Sequence, residues 1–186
     1  FRRLFAAQVV SLIGTGVTTI ALALLAFKLA GENAALVLGA ALAIKMIAYV
    51  GTAPLAGSLI HLLPRKATMV TLDLIRAGLI LCLPFLQEAW QLFVLIFLIN
   101  ACSACFTPLF QSLIPEILPN ETRYTQALSY ARLAYDLENL LSPILAALML
   151  GLWSYSGLFI FDGLTFILSA VLVFSASLPL AMPSQR

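Results

Sequence analysis

Long apolar runs dominate the chain, and polar residues gather in short breaks between them. Six runs, at about 4–27, 36–62, 67–86, 89–114, 124–150 and 157–178, are each long enough to cross a bilayer, which takes about 20 apolar residues in a helix. The breaks carry turn formers: Gly31-Glu32-Asn33, Pro64, Gln87-Glu88, Pro119-Asn120 and Ser154-Tyr155-Ser156-Gly157. The pattern predicts an all-α membrane protein of six transmembrane helices, with no soluble domain and no long linker. Charge enters the runs sparingly: Lys45 in the second, Asp73 and Arg76 in the third, Arg132, Asp136 and Glu138 in the fifth, Asp162 in the sixth.

Composition supports this reading. The chain is 62% hydrophobic and 10% charged, with a mean hydropathy of +1.06. A water-soluble domain carries roughly 25% charged residues, so the surface belongs in a lipid bilayer. The net charge of +2 and the lack of a basic tail exclude nucleic acid as a partner. Cys82, Cys102 and Cys105 all lie in apolar runs. Cys102 and Cys105 have CxxC spacing, but redox or zinc chemistry needs reachable thiolates and further ligands. They read as small packing residues, and no cofactor or metal is expected.

Lysine and arginine favour the cytoplasmic side of a membrane. One set of ends and loops holds Arg2, Arg3, Arg65, Lys66, Arg123 and Arg186, and the other holds only Lys28. Both termini are therefore expected in the cytoplasm. Trp90, Trp153 and Tyr155 fall at the opposite face, as interfacial aromatics do. The opening FRRLF leads straight into the first run without a small-residue cleavage site, so no signal peptide is expected.

Polar residues inside the runs are costly and face protein or water. In the first run Gln8, Ser11, Thr15 and Thr18 recur at three and four and share a face. They line a transport cavity or hydrogen-bond a packed helix. In the third run Asp73 and Arg76 stand three apart and can pair. In the fifth, Arg132, Asp136, Asn139 and Pro143 share a face, and Arg132 can hold Asp136 ionised. Glu138 points about 200° away from Asp136, and lies about 24 Å along a helix that begins near Thr122. Near mid-membrane, a lone carboxyl is a candidate to exchange a proton, with Asp136 second. The alternative is a structural pair between Glu138 and Lys45 or another buried cation. Lys45 is either such a cation or a contact for an anionic substrate. Asn100 is expected to bond a neighbouring helix or to touch substrate. Asp162 is expected near the outer interface, and His61, the sole histidine, at the membrane edge and not catalytic.

The stretch Gly57-Ser-Leu59-Ile-His61-Leu-Leu-Pro64-Arg65-Lys66 resembles the loop signature of the major facilitator superfamily, G-x-L-x-D-r-x-G-R-K, and stands between the second and third runs as it does there. Gly57, Leu59, Arg65 and Lys66 match; His61 replaces the aspartate and Pro64 the second glycine. Asp73-Leu-Ile-Arg76, Ser112–Leu133 and Phe161–Ala170 resemble a bacterial efflux branch that contains macrolide efflux proteins and the enterobactin exporter. The resemblance implies one six-helix half of the fold. It also implies a latch at the cytoplasmic gate, with Arg65 and Lys66 in it and Asp73 and Arg76 as supports. A neutral imidazole cannot hold a cation as a carboxylate does, so Asp73 is a candidate to replace the missing acid. Ser142-Pro143-Ile-Leu-Ala146-Ala147 resembles the antiporter motif G-P-x-x-G-G, with small residues that still let helices pack closely.

By that resemblance the chain is expected to be the N-terminal half, residues 1–186, of a proton-coupled transporter in the bacterial inner membrane. It would expel bulky amphipathic compounds, such as macrolide drugs or siderophores, by alternating access. Its partners would be lipid, small-molecule substrate, protons, and a missing C-terminal half or second chain. The missing initiator methionine and the end at AMPSQR fit a fragment. The competing classes are an intramembrane redox or other enzyme, for which no H-E-x-x-H, G-x-S-x-G or nucleophile–base pair is present, and a non-transporting scaffold.

Overall fold

The computed structural model describes residues 2–59, 64–117 and 120–176. These form six α-helices: α1 (Arg2–Ala30), α2 (Ala34–Leu59), α3 (Arg65–Cys82), α4 (Ala89–Ile117), α5 (Glu121–Leu150) and α6 (Tyr155–Ser175). By length and composition, five stretches can cross a membrane: Arg3–Thr52, Arg65–Phe85, Ala89–Pro115, Glu121–Leu150 and Tyr155–Ser175. The first takes in α1 and α2, and its 50 residues would reach about 75 Å as one straight helix, far beyond a hydrocarbon core of about 30 Å. It turns back instead at Gly31, whose φ of 52° suits a residue without Cβ.

Local chemistry sets the other ends. Pro64 precedes α3, and its carbonyl accepts from Thr68 N at 3.0 Å and Thr68 Oγ1 at 3.1 Å. Asn120 caps α5, its side chain accepting from Arg123 N at 3.2 Å. Prolines inside α2, α4 and α5 (Pro54, Pro108, Pro115 and Pro143) are tolerated, as they often are in membrane helices.

The helices alternate in direction and bury two apolar cores at opposite ends. Leu4 and Ala7 of α1 meet Met69 of α3, Phe106 and Phe110 of α4, Ala127 of α5 and Val173 of α6 at one end. Leu25, Ile80, Leu92, Ala146, Leu158 and Phe159 meet at the other. Cations concentrate at the first end. Arg3 Nη1 donates to Ser175 O, and Lys66 Nζ donates to Ala176 O at 2.8 Å, tying the starts of α1 and α3 to the end of α6. At the second end Lys28 Nζ donates to Tyr155 OH at 2.8 Å. The outside is apolar: Leu36, Val50, Leu140 and Phe174 are all more than 65% exposed, a surface made for lipid or another protein and not for water.

Between the cores lies a polar layer. Gln8, Ser11, Thr18, Asp73, Arg76, Ser142, Asp162, Thr165 and Ser169 are all buried there.

Candidate functional site: a polar layer inside the bundle

Asp73 and Arg76 anchor this layer. One turn of α3 separates them, and the guanidinium Nη2 hydrogen-bonds Asp73 Oδ1. Ser169 Oγ of α6 donates to Asp73 Oδ2 at 2.7 Å. Arg76 Nη1 reaches Ser103 Oγ of α4 at 3.4 Å. Its guanidinium lies between the rings of Phe106 and Phe166, 4.6 and 4.4 Å from their centroids. Such a cation–ring contact strengthens when it is dry. The pair thus joins α3, α4 and α6 in the middle of the bundle, about 12 Å along α3 from Arg65 at 1.5 Å per residue.

Beside it a cavity of about 90 Å³ opens between α1, α2, α4 and α6. Its polar lining includes Thr15, Thr18, Lys45, Asn100, Ser103 and Asp162, and Tyr49 and Thr19 complete it. The first-helix stripe divides over two duties. Thr15 and Thr18 face this cavity, whereas Gln8 and Ser11 are buried in packing, with Gln8 Nε2 donating to Tyr135 OH of α5 at 2.8 Å. Asn100 lines the cavity but donates to Ile96 O of its own helix at 2.7 Å, not to a neighbour.

Asp162 corrects an expectation. It does not reach an interface; it is 0% exposed. The reason is its partner: a Cβ at Gly14 would run into the side chains of Asp162 and Thr165, so glycine lets α6 lie directly on α1 there. Gly16 does the same for α5. A Cβ on it would lie 2.6 Å from Ser142 Cβ and 2.9 Å from Glu138 Oε1. Ser142 is therefore a close-packing residue, and Pro143 faces out of the bundle.

Glu138 is half-buried at that crossing and lines an apolar groove of about 350 Å³ between α1 and α5. Lys45 is the charge that acts on it. Arg132 and Asp136 approach to 3.8 Å on the outside of α5, and Asn139 beside them donates to Tyr135 O at 2.9 Å. The structure thus brings together Thr15, Thr18, Lys45 and Asn100, and leaves Asp136 and Asn139 on a separate outer face. Gly57 and Leu59 close α2, and His61 lies outside the described residues. Lys66 Nζ stands 5.3 Å from the centroid of the Phe174 ring as well as on the Ala176 carbonyl. The three thiols are free, and the described residues contain no group of three or more His, Cys, Asp or Glu placed to hold a metal.

Sequence reasoning missed Tyr49, Ser103, Thr165, Ser169 and the two clasping rings. One signal was available. Asp162, Thr165 and Ser169 recur at three and four, a polar stripe on an otherwise apolar helix.

Comparison with known proteins is consistent with this architecture. A family model described as Major Facilitator Superfamily matches residues 4–185. Macrolide efflux protein A of Streptococcus pyogenes is 26% identical over 184 residues, covering 96% of this chain and 45% of that protein. The uncharacterized MFS-type transporter YfiS of Bacillus subtilis is 27% identical over 121 residues, 65% of this chain and 29% of that one. A macrolide efflux protein A of Enterococcus faecalis is 26% identical over 131 residues, 68% of this chain and 40% of its own length. The chain thus spans about half the length, or less, of the relatives it matches. No solved structure matches it significantly.

Proposed function

The chain belongs to the Major Facilitator Superfamily, and from that premise we propose that it is one six-helix half of a secondary transporter expelling bulky amphipathic compounds in exchange for protons. The observation that carries the reading is the family match over nearly the whole chain. The names of the macrolide efflux relatives suggest the substrate class. Six membrane spans with both termini in the cytoplasm fit the crowding of Arg3, Lys66 and Arg123 at one end of the bundle.

The outer face of α5 supports a second six-helix unit. Arg132 and Asp136 are 83% and 63% exposed, and charges at membrane depth do not face lipid. That face, with Asn139, belongs against the other half or in a wet cleft between the two, where the family's substrates bind. Glu138 takes up the coupling proton, with Asp136 in reserve. Thr15, Thr18, Lys45 and Asn100 form the polar lining behind the cleft, and Gln8 and Ser11 pack beside it. Arg65 and Lys66, with Gly57, Leu59 and His61, form the cytoplasmic latch that Asp73 and Arg76 brace. Alternation between outward and inward access would couple proton entry to substrate exit.

The test is macrolide resistance in a drug-sensitive bacterial host that produces the natural gene product. Resistance should rise above that of the empty vector, and Glu138→Gln should abolish the rise without lowering the amount of protein in the membrane. Unchanged sensitivity to macrolides, with unchanged siderophore secretion, would overturn the substrate assignment.

A further inference from the structure

A drug-sized ligand takes a pocket of roughly 300–1,000 Å³, whereas a water needs only about 10–15 Å³ of probe-occupied space. The cavity between α1, α2, α4 and α6, at about 90 Å³, therefore suits several waters or a small ion and not a bulky compound. Its wall holds a buried carboxyl oxygen without a hydrogen-bond partner. Asp162 Oδ1 accepts from Thr165 Oγ1 at 3.2 Å, but Oδ2 has no hydrogen-bond partner. Thr18, 6% exposed, turns its hydroxyl toward the same carboxyl from α1.

A buried carboxylate without a counter-charge is too costly to persist; it is neutralised or paired. No cation among the described residues forms an ion pair with Asp162, although Arg76 acts on it from a distance. Arg76 of α3 is bound to Asp73 and clasped between two rings. Lys45 of α2 lines the cavity and acts on Glu138 of α5. Tyr49 of α2 is the other titratable lining group; α1 and α4 bring only neutral ones, Thr15 and Thr19, Asn100 and Ser103. Gly14 lets α1 lie directly against this carboxyl, since a Cβ there would overlap Asp162 Oδ1 and Thr165 Oγ1.

We infer that Asp162, Thr18 and Thr165 form a binding site for a small monovalent cation, a proton or Na⁺, enclosed within this six-helix unit and reached through its polar-lined cavity. The site goes beyond the transport reading: it is distinct from Glu138 and from the outer face of α5, and it can fill whichever compound is moved.

Infrared difference spectroscopy of the purified natural gene product tests it, with pH titrated in choline chloride and in sodium chloride. A buried-carboxyl signal should titrate in the wild type and vanish in Asp162→Asn. Displacement of its midpoint by sodium identifies Na⁺ as the ligand; indifference to sodium identifies the proton. Thr18→Val gives a reading should Asp162→Asn fail to fold. Losing the facing hydroxyl should move the midpoint by about one pH unit, the worth of one hydrogen bond. An Asp162→Asn titration superimposable on the wild type, or an unmoved midpoint in Thr18→Val, overturns the site. The two readings fail separately: no macrolide flux with the signal intact removes the transport assignment alone, and intact flux without the signal removes the cation site alone.

Discussion

Asp73–Arg76 in α3 and Arg132–Asp136 in α5 look alike on paper, an acid and a base within one helical turn of an apolar segment. In the folded chain they differ in almost every respect. The side chains of the first pair are 0% and 5% exposed, hydrogen-bonded across to Ser169 and Ser103 and held between two aromatic rings. Those of the second, Arg132 and Asp136, are 83% and 63% exposed, 3.8 Å apart. One pair is a structural joint between three helices. The other is an exposed charged face on the outside of α5. Burial, which spacing alone does not report, assigns the role.

The comparison can be broken from either side. Arg76→Ala should have the largest effect, about 3–5 kcal/mol of lost stability, because it strands the Asp73 carboxylate in the core. Thermal unfolding of the purified natural gene product reads this, and the double change Asp73→Leu with Arg76→Met should recover much of the loss. A change below about 1 kcal/mol for Arg76→Ala would mean that the joint does not hold the bundle. Ser169→Ala should cost about 1.5–3 kcal/mol, the range for a hydrogen bond to a charged group, measured the same way. Arg132→Ala should move stability by less than about 1 kcal/mol, as exposed pairs do, while macrolide flux falls. A large stability loss there would sharpen the picture differently, placing the α5 pair inside a tight interface between halves.

Much of the fold was legible because the membrane enforces it. Each apolar run from Leu4 onward coincides with a helix, since a chain in hydrocarbon must satisfy its own backbone. The internal pairing of Asp73 with Arg76 followed from spacing alone. What was not legible depended on which helix lies against which. Asp162 reads as a residue near a helix end until Gly14 is seen to bring α1 onto it. Thr15 and Thr18 cannot be told from Gln8 and Ser11 by period. Only the placement of α2 and α5 around α1 sends one pair to the cavity and the other into packing. Asn100 bonds its own backbone, at Ile96 O one turn back, an acceptor that every helix offers and that period alone does not choose over a neighbouring helix.

Proton-driven macrolide movement is the most direct test of the account. Everted membrane vesicles from cells producing the natural gene product would be given a proton gradient and a labelled macrolide. The account predicts accumulation above that of control vesicles, collapsing when a protonophore is added. Accumulation equal to that of the controls, or accumulation indifferent to the protonophore, would contradict it.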